Sequence, residues 1–251
     1  MRYVIEMIRE GWNLIPYDPD LRAETIRTLR LAFESTGIAL LIGVVPAYLI
    51  GVRTSRPARW GLTIANAGLG VPAVGVGVLL FLILPGHTPW PGGGLWYGMS
   101  AMILGQTVLA LPIIVALGAA AIRGLPDGLI DQARAFGASG WRLAIFAFRE
   151  AKIGILTAII LALGSAIAEV GAVTILGGNA ERSTTTLASE ILNEVNGDGG
   201  FAGNAGAVEH AIVVLGLMLI LAVMLTVIQQ WGAIQRRGRL RAEVSSSQRT
   251  R

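Results

Sequence analysis

Glu34 and Glu169 are carboxylates set inside long uncharged stretches, where an ionised group is costly and is a functional candidate by default. On a helix through 153–177, Ala158, Ala162, Ser165, Glu169 and Ala172 fall on one face; such a small, partly polar stripe suits a pathway or a packed interface. Glu34 either lies near the outer water layer or pairs with Arg30, four residues before it. The other reactive side chains are few. There is no cysteine, which excludes disulfides, thiol catalysis and zinc-thiolate sites. His87 and His210 are isolated in the sequence, so no catalytic constellation is expected. Lys152 is the single lysine and lacks the glycine frame of a phosphate-binding loop. Gly68-Leu69-Gly70-Val71-Pro72-Ala73 matches a dinucleotide fingerprint on paper. It carries a proline and follows no strand, so its glycines are expected to mark a kinked, closely packed helix. The chain is therefore expected to bind no cofactor of its own.

The elements that must position these residues belong to a membrane protein. Of 251 residues, 53% are hydrophobic and only 14% charged, and the mean hydropathy is +0.64; a soluble domain is about 25% charged. The net charge of +4 reflects orientation in such a chain and not nucleic-acid binding. Crossing a bilayer takes about 20 apolar helical residues. Five spans are expected, near 26–51, 61–84, 98–122, 153–177 and 208–234, within one transmembrane unit over 25–234. Residues 1–24 form a separate segment in which Val4, Ile5, Ile8, Trp12 and Ile15 recur at helical spacing among charges, as in a helix lying on the membrane surface. It has no continuous apolar stretch of signal-peptide type and is expected to stay in the mature chain. The fold class is all-α, polytopic.

Arginines set the orientation. Arg53, Arg56 and Arg59 face no acid in their loop, the 123–152 loop is net basic, and the 235–251 tail carries six arginines against Glu243. The alternate segments differ: 1–24 has three arginines against five acids, and 178–210 has Arg182 against five acids. The positive-inside rule then puts the N-terminus outside and the 123–152 loop and tail in the cytoplasm.

That cytoplasmic loop contains Asp131-Gln132-Ala133-Arg134-Ala135-Phe136-Gly137-Ala138-Ser139-Gly140. Pro126 suits a first helical turn with Asp127 beside the positive end of the dipole. Leu125, Leu129, Ala133 and Phe136 share a stripe, with Asp127, Asp131 and Arg134 opposite. Gly137 falls where a helix ends in a left-handed residue, and Ser139 can cap a second helix from Trp141. Connections in bundles usually take about 2–8 residues, so a structured loop this long is expected to dock a partner.

Here the sequence resembles a known family. Asp131-Gln132-Ala133, followed at the same spacing by Gly137, is similar to the coupling loop of ABC importer permeases, written Glu-Ala-Ala, three residues, Gly, nine residues, Ile-x-Leu-Pro. Asp stands for Glu, Gln for the first Ala, and the distal end reads Ala147-Phe148-Arg149-Glu150. "GSAIAEVGAVTILGGN" (164–179) resembles the span after that loop in oxyanion permeases. "REAKIGI" (149–155) and "GQTVLALPIIVAL" (105–117) look more like the tungstate-type branch than the molybdate or sulfate ones. The resemblance implies a homodimeric permease in the inner membrane. Two cytoplasmic subunits that bind and hydrolyse ATP with magnesium would grip the coupling loops at Asp131, Gln132, Ala133, Phe136, Gly137 and Ala138. An external binding protein would deliver the anion, tungstate first, with molybdate or another oxyanion as the alternative.

An oxyanion pathway should offer hydroxyls, amides and helix N-termini. Gln106 and Thr107 are candidates, with Ser165 and Glu169 on the fourth span. A carboxylate repels an oxyanion, so a gate or a structural pairing suits Glu169 better than contact with substrate. Ser183, Thr184, Thr185 and Thr186, in the external loop 178–207, can open a short helix through Ile191; this is either an ordinary capped helix or a docking surface for the binding protein. A secondary transporter would call for inverted repeats with broken helices in both halves, and five spans do not divide so. A non-transporting scaffold would use the loop only as an interaction site.

Overall fold

In the computed structural model the backbone is described for residues 2–16, 18–84, 97–179, 183–197 and 200–249, and the side chains likewise except at 2, 4, 19, 200–203 and 231–249. All regular structure among the described residues is α-helical. Asp18 starts the first long helix: its Oδ1 accepts from the Asp20 and Leu21 N–H groups at 2.7 and 3.2 Å, and Pro19 takes the first helical position. This helix, α2 (Pro19–Val52), follows α1 (Arg2–Leu14) and has 34 residues, about 51 Å at ~1.5 Å per residue. It packs along α5 (Met99–Arg123) through small residues. A Cβ on Gly51 would sit 2.7 Å from the Ile122 Cβ, and one on Gly118 3.1 Å from the Ala47 Cβ. Close backbone approach of this kind is how helices associate where lipid removes the hydrophobic drive.

Among the described residues, three continuous helices are long and apolar enough to cross a membrane: α2, α5 and α11 (Gly200–Arg249). The number rises to five if each of two bent pairs counts as one span. The expected second span is such a pair, α3 (Arg56–Gly68) and α4 (Ala73–Ile83), bent by 101°. Pro72 precedes α4, and the chain reaches it through tight turns at Leu69, Gly70 and Val71. The glycine-rich stretch is therefore a break, sharper than the expected kink. The fourth region is also segmented. The helix α7 (Gly140–Glu150) meets α8 (Lys152–Ala168) at 76°, and α9 (Gly171–Gly177) follows after Glu169 and Val170 leave the helix.

The core runs where α2, α5, α8 and α9 meet. Ala39, Ala110, Ile114, Ala158 and Ala162 form one buried cluster, and Leu31, Ala101, Met102, Val173 and Leu176 another. Over the apolar windows, 56% of α5 is buried, 33% of α2 and none of α11. So α5 is the central post and α11 offers its apolar length outward. α1 is seated on the start of α11 at Gly11, whose Cβ would lie 2.8 Å from the Ala205 carbonyl oxygen, while Ile5, Ile8 and Trp12 are exposed.

Candidate functional site

Between α5 and α8 the chain forms an elbow of two short helices. The first, α6 (Leu129–Ala135), begins later than Pro126 suggests, because Gly128 at φ +77° turns the chain and Leu129 N–H bonds back to the Pro126 carbonyl. It ends as expected at Gly137, which has φ +84°. Ala138 N–H reaches the Ala133 carbonyl at 3.0 Å and Gly137 N–H the Arg134 carbonyl at 2.9 Å, the paired bonds of a glycine-terminated helix. Nothing lies within 4 Å of where a Gly137 Cβ would be, so backbone conformation and not space asks for glycine there. Ser139 does not cap α7 with its hydroxyl; its carbonyl instead accepts from Arg142 N–H at 3.1 Å.

The elbow is anchored on one side and open on the other. Leu125, Ile130 and Phe148 pack on Ile122, Ala147 and Ala151, and the Phe148 and Tyr48 rings lie 6.2 Å apart. Arg123 donates to the Ile50 carbonyl from Nε and Nη2 at 3.2 and 3.0 Å, tying the elbow's entry to the end of α2. No residue of α6 is buried. Asp131 and Arg134 pair at 2.8 Å in the open, Gln132 is exposed and Ala133 and Ala138 half-buried. Phe136 is 91% exposed and Trp141, on α7, 70%. This is an apolar projection on a fixed stalk.

The residues expected to line a pathway have separate settings. Gln106 is buried in α5 and its Nε2 has no hydrogen-bond partner. Thr107 donates to the Ile103 carbonyl at 2.7 Å and, with Glu34 and Ser100, lines a mainly apolar groove of ≈ 610 Å³ along α2 and α5. Glu34 takes the local pairing: Arg30 Nε donates to its Oε1 at 2.6 Å. Ser165 is exposed on α8. Glu169 stands in the break before α9 and its Oε1 accepts from Ala172 N–H at 3.2 Å, so this carboxylate serves the exposed start of a helix. The break brings α9 onto α4, where a Cβ on Gly77 would lie 2.9 Å from the Ala172 Cα.

At the far end of α2 from the elbow lies a polar cluster that sequence reasoning missed. His210 is not isolated: it is 2% exposed, with Nε2 2.8 Å from Glu24 Oε2 and Nδ1 3.0 Å from the Gly206 carbonyl and 3.3 Å from Glu194 Oε2. Both ring nitrogens face acceptors, an arrangement that suits the imidazolium form. His87 lies outside the described residues. Glu24, 4% exposed, also accepts from Thr185 Oγ1 at 3.3 Å and pairs with Arg27 at 3.5 Å. The hydroxyl run is turned inward. Arg27 Nε donates to the Thr185 carbonyl at 2.9 Å, Leu187 N–H donates to Thr28 Oγ1 at 3.0 Å, and Thr186 forms a capping box with Ser189 at the start of α10 (Leu187–Asn196). Thr184, Thr185 and Thr186 are buried, leaving Ser183 exposed. The ordinary capped helix is what forms, with Ser183 the exposed residue of the run. Nearby, Glu190 has its carboxyl pushed up from the usual range, first by burial and against the hydrogen bond from Asn193.

Comparison with known proteins covers most of the chain. The family described as "Binding-protein-dependent transport system inner membrane component" matches residues 39–237. A "Probable anion ABC transporter permease protein" of Haloferax volcanii is 33% identical over 168 residues, 67% of this chain and 72% of that one. A "Tungstate uptake system permease protein" of Campylobacter jejuni is 32% identical over 133 residues, 53% of this chain and 56% of its own. Further relatives carry the names of molybdenum, D-methionine and phosphate permeases. In fold, the chain is similar to a chain of a methionine ABC transporter solved in inward-facing form, with a TM-score of 0.66 at 20% identity over 84% of this chain and 95% of that one.

Proposed function

The chain belongs to the family of binding-protein-dependent transport system inner membrane components, and we propose that it is the membrane-spanning subunit of an ATP-driven importer of an oxyanion, tungstate first. The observation that carries the substrate class is the Haloferax relative, named for an anion and matched over two thirds of both chains. Tungstate is favoured within that class by a relative named for tungstate uptake. Molybdate is the second reading, supported by a molybdenum permease that is 26% identical over 82% of this chain.

In this reading two cytoplasmic ATP-binding subunits hold α6 and its cap through Asp131, Gln132, Ala133, Phe136, Gly137 and Ala138, and ATP and magnesium act there. An aromatic ring standing free beside a helix terminus is suited to fill a partner's pocket. A second copy of the chain covers apolar surface that one copy leaves open, and an external binding protein meets the 178–207 side. The N-terminus is outside. Gln106 and Thr107 supply donors near the pathway, and Glu169, as the acceptor that starts α9, holds a gate in place instead of touching the anion.

Uptake of labelled tungstate in cells with and without this chain, with molybdate and sulfate as competitors, is the test. Loss of uptake that sulfate does not compete for is expected. Uptake unchanged, in cells without a redundant tungstate system, would remove tungstate as the substrate.

A further inference from the structure

Three ligand-type atoms converge where α1 hands over to α2 and α11 begins. One oxygen from Asp18, one from Glu209 and a ring nitrogen of His210 all lie within 4.8 Å of one another. Glu209 is 2% exposed, and its Oε1 has no hydrogen-bond partner. A buried carboxylate oxygen left bare is costly unless a proton or a cation meets it. The surroundings deepen the need. Glu24 and Glu194 bear on His210, and Asp20 and Glu190 line the same cleft. Arg27 and His210 are the positive groups ion-paired there among the described residues.

We propose that Asp18, Glu209 and His210 bind a divalent cation on this face of the permease. A set of two carboxylates and one imidazole suits zinc or manganese better than calcium or magnesium, which favour oxygen alone. The rest of the geometry agrees. Glu24 Oε2, 2.8 Å from His210 Nε2, can hold that nitrogen's proton, and Nδ1 would exchange its contact with the Gly206 carbonyl, 3.0 Å away, for the metal, as in the carboxylate–histidine–metal relay. Binding then displaces the second imidazole proton. A cleft of ≈ 240 Å³, with Asp18 and His210 on its wall, gives an entry path. Asp18 also caps α2 through Oδ1, so a cation held here would pin the start of α2 to the start of α11. The site does not depend on which anion is carried.

The full-length chain, purified in detergent on a tag without histidine, is stripped with chelator, loaded with Zn²⁺ or Mn²⁺ alone, dialysed and assayed for bound metal and for melting temperature. About one ion per chain, with a metal-dependent rise in melting temperature, is expected. Both should be lost in Glu209→Gln, and Glu24→Gln should weaken binding by about 10–100-fold. Asp18→Asn keeps the helix cap and serves as a second ligand variant should Glu209→Gln fail to fold. No retained metal in the wild-type chain would show that protons alone neutralise the cluster, and metal held at the wild-type level by both Asp18→Asn and Glu209→Gln would place the ion elsewhere; either result overturns the proposal.

Discussion

Phe136→Ala separates docking from folding. The ring is 91% exposed, so truncating it removes nothing that the chain buries for itself. The stability of the isolated permease should stay within about 0.5 kcal/mol of the wild type, with an unchanged melt in detergent. In the assembled transporter the same ring would pass from water into a pocket. Full burial of a phenylalanine is worth about 1.5–3 kcal/mol, so affinity for the ATP-binding subunits should fall about ten- to a hundredfold. Gly137→Glu should act more strongly, adding a charge at the same surface and a side chain to a backbone at φ +84°. Left-handed backbone costs an ordinary residue about 1–2 kcal/mol, and that part is controlled by Gly128→Ala, since Gly128 has φ +77° and equally open surroundings. The assay is titration of the purified permease with the ATP-binding subunit, beside a thermal melt of each variant. Unchanged affinity in Phe136→Ala, or a melt lowered without the partner present, would refute the assignment of this surface.

Gly51→Ala should destabilise by about 1–3 kcal/mol through overpacking, since its Cβ would lie 2.7 Å from Ile122, whereas Gly75→Ala, with nothing within 4 Å, should be neutral or better; paired melts compare them. Glu169→Ala removes the acceptor for Ala172 N–H and should cost about 1 kcal/mol, with Glu169→Asp retaining more of the melting temperature than Ala. Glu190 carries a raised carboxyl value, so the folded state binds its proton more tightly than the unfolded one and stability falls as pH rises from the ordinary value through the raised one. Glu190→Gln, with chelator present, should therefore melt above the wild type at neutral pH and lose that advantage below the ordinary carboxylate range.

Local signals were legible where the sequence itself contains both partners. The glycine that ends α6 could be read four residues after Ala133, and its φ of +84° follows from a requirement any helix terminus makes. The Arg30–Glu34 pair was equally readable, because four residues on a helix bring two side chains together. Apolar length identified the membrane segments but not their breaks. Hydropathy is blind to Glu169 leaving the helix, since the gain that permits it, a bond from Ala172 N–H and the packing of α9 on α4, lies partly in another segment. Pro72 announced a disturbance; its size, 101°, depends on what the two halves pack against.

The polar cluster shows the limit most sharply. His210 has apolar neighbours in sequence on its C-terminal side, and beside Glu209 it reads as a stray pair at the start of a span. Its partner Glu24 is 186 residues away, and Thr185 meets Arg27 across 158. Each group alone would be an expensive burial: an acid, an imidazole, a guanidinium and several hydroxyls. Glu24, His210, Arg27 and Thr185 meet one another's needs, leaving Glu209 Oε1 bare, because α2, α10 and α11 start at the same end of the bundle, a fact of topology that no window of residues contains. A reading that weighs each polar residue against its own neighbours will discard such a site as bland. One that asks which helix starts must share an end would retain Glu24, Thr185, Glu209 and His210 as a group.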